Sequence, residues 1–492
     1  MVAQLITQDS GPIKTSRLTR WTEWFILGLL VLFAFAIRVY KLGSFPDTVL
    51  GDEADNAQAA VQILFGHPPV NGFFGVDWTS QPAFSVYKEA AFIAILGFNI
   101  LAMRLSSAII SSLALIPFYM LLRRQFSPIA SFLASLLLAT NVWYLNFSRS
   151  GWNCIDASFY MLMAMLFLML ALDAVVEQPA KRWRKWIFFA ITGFFCAMGL
   201  YGYPAGRAIT LAMVAFLPVA LIFYEHHRRE LALGYLVLFA AEVLTFAPQG
   251  IYAIQHWDYF NGRTNTVFIM NKPEFKADPL GTMLDQFSNN IRGPWDGSVN
   301  NTAQYTPVHE PQLDRPTGIL VLLGMALTLV LASLRRRAET WLWWLMLLAG
   351  WGLTQLLTTN TPNGARGIGY MPTLIFFAAV SLDQIWQELS RLISKVSAQS
   401  QGGQRAAICI LGFIVAVLVF SAGIANVKHY VDWQNTPQTR RDRYYYITAR
   451  EFPDWAGVIA FRAKNNMGIM NVGQWREAYP IEDRAYPYGT NP

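Results

Sequence analysis

What most constrains this chain is a succession of nearly uncharged apolar stretches, each of about 20 residues, the length that carries an α-helix across the hydrocarbon of a bilayer. They cover 21–40, 104–122, 128–146, 154–172, 186–203, 208–224, 231–252, 316–334, 340–358, 367–385 and 406–425. Of the 492 residues 54% are hydrophobic and only 14% charged, too apolar a balance for a soluble globular chain. The expected fold is therefore an all-α polytopic membrane protein with about eleven transmembrane helices. Many of its 17 Trp, 20 Tyr and 34 Phe sit at the ends of the runs, where interfacial aromatic belts form. The net charge of +7 is not a nucleic-acid signature, because the Lys and Arg fall in short clusters between the spans.

Those clusters set an expected orientation. Lys14, Arg17 and Arg20 precede the first span and place the N-terminus inside; no small-residue cleavage site follows them, so 21–40 reads as a retained span. Arg123-Arg124, Lys181-Arg182-Trp183-Arg184-Lys185, His226-His227-Arg228-Arg229, Arg335-Arg336-Arg337 and Arg391/Lys395/Arg405 fall on every second connection. Counting 83–98 as a further span would turn all of them outward, so it is expected to be a re-entrant or interfacial helix. The expected organisation is a cytoplasmic segment 1–20, a membrane domain 21–427 with outer loops at 41–103 and 253–315, and a small outer-face appendage at 428–492. The protein is expected in the plasma membrane, with the functional face outside.

Charge at that face is the second constraint. Gly51-Asp52-Glu53-Ala54-Asp55 places three carboxylates within four positions after the first span, where an acid is tolerated when solvated, paired or lining a cavity. They could equally decorate the N-terminus of a surface helix, which favours negative charge. Five arginines also stand on the expected outer side against the positive-inside bias: Arg38, Arg104, Arg149, Arg207 and Arg366. Guanidinium groups converging there suit a phosphate or pyrophosphate, although each could instead snorkel to headgroups or pair with a nearby acid such as Asp47, Asp52, Glu53 or Asp77. Acids and arginines together suggest chemistry on a phosphorylated lipid, with a carboxylate taking a proton from an acceptor hydroxyl while cations stabilise the departing phosphate.

Particular residues then carry a resemblance. Arg38-Val39-Tyr40 closing the first span, Gly51-Asp52-Glu53-Ala54, Gln81-Pro82, Arg104-Leu105 opening a span that ends in Arg123-Arg124, and the Ser148-Arg149 turn resemble the GT-C superfamily of membrane glycosyltransferases, in particular the protein O-mannosyltransferase and aminoarabinose-transferase group. The resemblance implies the GT-C fold and transfer of a sugar, with inversion, from a polyprenyl-phosphate carrier to an acceptor hydroxyl at the non-cytoplasmic face. It implies Asp52 as general base, Glu53 as its acidic neighbour and Arg104 against the lipid-linked phosphate. Arg38, Arg149, Arg207, Arg366, Asp77, Gln81 and Tyr203 complete the expected substrate-binding set. The chain departs from the aminoarabinose relatives, which carry Glu-Lys-Pro where it reads Ser80-Gln81-Pro82; Asp77, or Lys88 with Glu89, are the candidates to replace the missing acid and lysine. The loop 253–315 is too short for the β-trefoil of eukaryotic protein mannosyltransferases, but as a lid it offers Trp257, Tyr259, Phe260, Trp295 and Tyr305 for stacking on sugar.

Other chemistries find little support. There is no phosphate-binding loop and no dinucleotide fingerprint. Cys154, Cys196, Cys409 and the six His show no metal-ligand spacing, so no cofactor is required, while a divalent metal stays compatible with the acids. The expected partners are the bilayer, a polyprenyl-phosphate sugar and an acceptor of unassigned class (protein, lipid or glycan), with no nucleic acid. A lipid-linked saccharide transporter or flippase, or a non-catalytic sugar-lipid binding protein, stays open as an alternative.

Overall fold

The computed structural model describes residues 17–68, 72–76, 80–176, 183–300, 304–396, 401–436 and 446–478. Asp77, Lys14, Lys181 and Arg182 lie outside the described residues. Helix α1 (Arg17–Val39) leads through a short strand β1 (Thr48–Leu50) into α2 (Gly51–Leu64), α3 (Phe84–Leu96), α4 (Ile100–Leu113) and α5 (Leu115–Arg123). Next come α6 (Pro128–Thr140), α7 (Val142–Ser148), α8 (Asp156–Val176), α9 (Arg184–Tyr201), α10 (Arg207–Phe223) and α11 (Arg228–Gln255). The connection that follows carries α12 (Trp257–Val267), α13 (Pro273–Ala277) and α14 (Pro279–Arg292). The chain returns through α15 (Arg315–Val330), α16 (Ala332–Arg335), α17 (Ala338–Trp351), α18 (Gly364–Gly367), α19 (Met371–Val396) and α20 (Gln401–Gln434). It closes with β2 (Tyr446–Thr448), α21 (Phe452–Lys464) and α22 (Val472–Ala478).

Among the described residues seven helical segments are long and apolar enough to cross a membrane, or eight if the bent pair α6 and α7 is one span, fewer than the eleven expected. The other three expected runs are helical but shorter. Helix α9 has 18 residues and opens on Arg184-Lys185, α15 has 16, and α17 has 14 before it passes into a π-helical turn at Gly352–Leu356. The segment proposed as non-spanning is α3, whose 13 residues reach only about 20 Å. One continuous apolar core joins α1 and α5–α11 to α15–α19. Close approach within it needs small residues: a Cβ on Gly324 of α15 would stand 1.7 Å from the Phe377 carbonyl oxygen of α19.

The bundle has two chemically different ends. At one, Arg124 donates to Asp173 at 2.7 and 2.8 Å and to Glu339 at 2.6 Å, and Arg123 pairs with Glu23 at 3.1 Å, tying α5 to α8, α17 and α1. At the other end of α8 stands Asp156, which is 17 residues and so about 26 Å away, close to the hydrocarbon thickness of a bilayer. The acids and the outer-face arginines gather at this second end.

A second, smaller core is built from two distant parts of the chain. Strands β1 and β2 pair antiparallel with Thr48 opposite Thr448, Val49 opposite Ile447 and Leu50 opposite Tyr446. Behind them Ala54, Ala57 and Val61 of α2 pack with Trp455 and Ile459 of α21, Met470 and Trp475. Ala54, Ala57 and Val61 are spaced three and four apart, one stripe of an amphipathic helix, and Leu64, the next position on that stripe, stands 44% exposed. Residues 446–478, expected as an outer appendage, are thus half of the core that holds α2. Arg440–Arg443 and Tyr444-Tyr445 lie outside the described residues.

Trp455 is wholly buried in this second core. Trp455→Ala is expected to cost about 3–5 kcal/mol and to loosen α2 before the helical bundle. Hydrogen exchange should therefore accelerate in 48–65 while α8 and α19 stay protected; uniform acceleration would mean that the two cores are one unit.

Candidate active site

The neighbouring acids at the start of α2 have opposite surroundings. Glu53 is the third residue of the helix, from which its side chain reaches back to the Leu50 N–H at 3.3 Å, one half of a capping box. Its carboxylate also accepts from Arg104 Nε at 2.7 Å, from Arg104 Nη2 at 3.2 Å and from the Gly151 N–H at 2.8 Å. Glu53 is 2% exposed and Arg104 1%. The remaining Arg104 donors go to the carbonyls of Leu42 (3.4 Å), Pro46 (2.9 Å) and Thr48 (2.7 Å), so all five N–H groups are taken. Nothing is left for a lipid phosphate, and Arg104 is a cross-link, against the expectation for it. A Cβ at Gly151 would lie 2.9 Å from Glu53 Cγ and 3.1 Å from the Met103 carbonyl oxygen, so only glycine admits the carboxylate here.

Two more of the five arginines belong to this frame. Arg149 donates to the carbonyls of Ile37 (2.6 Å), Arg38 (2.7 Å), Tyr40 (2.9 Å) and Phe45 (2.8 Å), satisfying the open C-terminal end of α1 where a cation is favourable. Arg38 is fully buried, donating to Ser111 Oγ at 3.0 Å and to the Ala34 carbonyl at 2.8 Å, with its guanidinium 5.8 Å from the Tyr144 ring centroid. Both expectations of a phosphate ligand give way to a structural role: four Arg149 hydrogen bonds go to main-chain carbonyls and Arg38 is buried against Ser111 and Ala34, with Arg38 Nη2 and Arg149 Nε left without a partner among the described residues.

Asp52, one position earlier, is half-buried, and among the described residues its carboxylate has no hydrogen bond or ion pair. Burial raises its pKa above the ordinary aspartate value, and the charge of Arg263 on α12 opposes the rise. Asp52 in turn helps to push the Tyr305 phenol up to about 12, where loss of solvent is the larger cause. Tyr305 stacks on Phe147 at 6.1 Å and meets Trp152 at 6.2 Å; Tyr203 stands edge-on to Trp152 at 6.4 Å. Desolvation likewise raises the Tyr203 phenol, with the Arg366 and Arg263 charges opposing. Of the lid aromatics, Tyr305 is at the site, Phe260 lies under Arg207, Trp295 packs on the bundle core, and Trp257 and Tyr259 are 60% and 67% exposed.

Besides Arg207, the half-buried arginines here that keep most of their N–H donors unused among the described residues are Arg263 and Arg366. Arg263 is half-buried and makes no hydrogen bond or ion pair among the described residues. Arg366, also half-buried, gives one hydrogen bond, from Nη1 to the Thr359 carbonyl at 2.6 Å. It stands at the end of a narrow cleft lined by small residues of α8, α10 and α17, among them Ala157, Ala208 and Gly350. Arg207 donates to Thr264 Oγ1 at 2.9 Å and lies over the Phe260 ring at 5.3 Å, which holds α12 down and brings Arg263 to the site. Arg263 lies mid-loop, away from any apolar run, so proximity to a span could not single it out. Its one sequence signal is an arginine on the expected outer side with aromatic residues nearby.

The other expected residues are placed as follows. Gln81 is buried at 7% beside the bridge between Val76 and Pro82. Lys88 forms an ion pair with Asp156 at the start of α8, and Glu89 is buried, its pKa pushed well above the ordinary glutamate value by burial and by the Glu53 charge. Neither residue takes the open position that Asp52 and Arg263 occupy. Among the described residues no cluster of three His, Cys, Asp or Glu side chains forms a metal-binding group.

Comparison with known proteins bears on this arrangement. Residues 80–252, about a third of the chain, match the family model of dolichyl-phosphate-mannose-protein mannosyltransferase; the match begins after Asp52 and Glu53 and includes Arg104, Arg149 and Arg207. No curated protein matches the chain. Among solved structures, the Archaeoglobus fulgidus oligosaccharyltransferase in its apo form superposes with a TM-score of 0.56 at 14% identity, over 87% of this chain and 60% of that one. The same archaeal protein, AglB, in complex with an inhibitory peptide and a dolichol-phosphate gives 0.53 at 16% identity, over 87% and 59%. ArnT from Cupriavidus metallidurans in the apo state gives 0.50 at 13% identity, over 92% and 78%. The chain thus spans about three fifths of the length of the oligosaccharyltransferase. These likenesses show the fold, one shared with the oligosaccharyltransferase and ArnT.

The two acids should respond oppositely to neutralisation. Folded Asp52 holds its proton more tightly than the unfolded chain, so its charge costs stability above the unfolded pKa, a cost that fades as pH falls through the raised one. Asp52→Asn is expected to leave thermal stability in detergent unchanged or higher at neutral pH. Glu53→Gln should lose about 3–5 kcal/mol, because Arg104 is left buried without its counter-ion. Equal loss in both variants would place Asp52 in the structural network.

Proposed function

We propose that this chain, an integral membrane protein of the GT-C fold, transfers a sugar from a polyprenyl-phosphate carrier to an acceptor hydroxyl at the membrane face that carries Asp52. The observation that carries this reading is the division of labour at the start of α2: Glu53 is consumed by Arg104, Gly151 and the helix cap, while Asp52 is unpaired and faces Arg263. An unpaired carboxylate with a raised pKa is suited to accept a proton from a hydroxyl. The match to a mannosyltransferase family model and the likeness in fold to ArnT and the oligosaccharyltransferase support the reaction class.

In the proposed step the acceptor oxygen forms a bond to the anomeric carbon as the bond from that carbon to the phosphate oxygen breaks. The acceptor proton passes to the Asp52 carboxylate, and polyprenyl phosphate leaves with one more negative charge. A single displacement inverts the anomeric configuration. Arg263 and Arg366, each with unused N–H donors, meet the growing charge of the leaving phosphate, where charge-assisted hydrogen bonds are strongest. Tyr203, Tyr305 and Trp152 form the wall for the sugar. Because the guanidinium groups supply the counter-charge, the mechanism needs no metal ion.

The experiment is turnover of synthetic polyprenyl-phosphate sugars by the purified protein in lipid, with a membrane extract as acceptor source. Asp52→Asn should lower kcat by about 10²–10⁴-fold. In the unsubstituted protein log kcat should fall with unit slope as pH drops through the raised pKa of Asp52. Arg366→Ala and Arg263→Ala should each raise donor KM by about tenfold or more, the worth of one charged hydrogen bond. A chelator should leave the rate unchanged. Normal turnover by Asp52→Asn would remove Asp52 as base, and a rate abolished by chelator and restored by a divalent cation would replace the arginine mechanism.

A further inference from the structure

Helix α14 divides into three faces, and each face meets a different surrounding. Gln286 and Asn290, four residues apart, point into the protein. Gln286 Nε2 donates to the Thr358 carbonyl at 2.8 Å, and Asn290 Nδ2 donates to Thr361 Oγ1 at 2.8 Å and to the Gln355 carbonyl at 3.3 Å. A second line, Leu280, Leu284, Phe287 and Ile291, follows the helical repeat of four, three and four. Its members are 70%, 60%, 46% and 48% exposed. Asp285, Ser288 and Arg292 form a third line, also exposed, with Arg292 paired to Asp296 at 2.6 Å.

For a helix resting in water on a folded protein this is inverted. Burial of an apolar side chain is favourable, so a water-bathed helix docks through its apolar face and leaves amides outside. In α14 the amides dock and four large apolar side chains face outward. The arrangement suits a helix lying at a bilayer surface, with one side on the protein, one in the acyl region and one toward water. The exposed apolar line is of a kind with the lipid-facing surface of the bundle, where Ile251, Ile254 and Trp257 at the end of α11 and start of α12 are 56%, 82% and 60% exposed.

We infer that α14 is seated in the membrane surface through Leu280, Leu284, Phe287 and Ile291, its occupant being the bilayer, and that through Gln286 and Asn290 it holds the loop 358–366 at headgroup depth. Arg366 is bound into that loop through the Thr359 carbonyl. The membrane seat is independent of the proposed reaction. Its consequence, that Arg366 is held at the level where a lipid-linked phosphate lies, rests on that reaction.

The test is site-directed fluorescence in the full-length protein reconstituted in phosphatidylethanolamine and phosphatidylglycerol vesicles. An environment-sensitive probe is attached at Leu284→Cys or Ile291→Cys on one line and at Asp285→Cys or Ser288→Cys on another, with the unsubstituted protein treated in parallel as background. Probes at 284 and 291 should emit at shorter wavelength and be quenched at least severalfold more by doxyl-labelled lipid than by aqueous iodide. Probes at 285 and 288 should show the reverse. Iodide quenching at 284 and 291 would overturn the inference, and so would shielding from both quenchers, the result expected if another protein covered this face. No turnover enters this readout, so failure of the transfer assay and failure of the membrane seat are separately visible.

Discussion

The buried ion pair between Glu53 and Arg104 is the interaction on which the rest of this site depends. It closes a bond between residues 51 positions apart, and each partner carries further connections: Glu53 to the cap of α2 and to Gly151, Arg104 to three carbonyls between 42 and 48. Two charges taken out of water are tolerated only when their remaining hydrogen-bonding capacity is filled, and here it is. The pair thereby fixes the start of α2 to α4 and to the turn before α8. Asp52 inherits its position from that anchorage. An acid with no partner of its own can be held in place only by what its neighbours are bonded to.

The same logic extends across the membrane face. Arg149 ties the end of α1 to the turn after α7, and the C-terminal segment braces α2 from the other side through the β1–β2 ladder and Trp455. With Arg104 fully bonded and Arg149 tied to four carbonyls, the charges without such ties among the described residues stand out: Asp52, Arg263 and the greater part of Arg366. They come from three separate connections. Two of these are held by polar docking: α12 through Arg207 and Thr264, and the loop before α18 through Gln286 and Asn290 of α14. A site assembled in this way keeps its reacting groups uncommitted because other residues carry the structural work.

Much of this was legible in the residues before any coordinates. Apolar run length located the helices, and the parity of the basic clusters set 83–98, the 13-residue α3, apart from the longer runs. The Asp-Glu pair stood out as a candidate site. The division between its members was not, since two adjacent acids look alike until the partners of each are known. The arginines show the same limit. Charge against the topological bias correctly singled out residues that need an anion or an acceptor, but carbonyls at a helix end and a buried glutamate are acceptors too. Three of the five took those partners. Arg263 went unnoticed because nothing local distinguishes it.

What the sequence by itself determined is the class of environment: twenty-residue apolar segments admit a bilayer and little else, and acids beside them demand a reason. What only the tertiary structure decided is which charged groups are spent and which are free. That depends on contacts between residues 50 to 400 positions apart, such as Glu53 with Arg104 and β1 with β2. The physical reason is that hydrophobic periodicity is local and additive along the chain. Satisfaction of a buried polar group is a property of the whole packed structure, set by whichever donor or acceptor the fold brings to it.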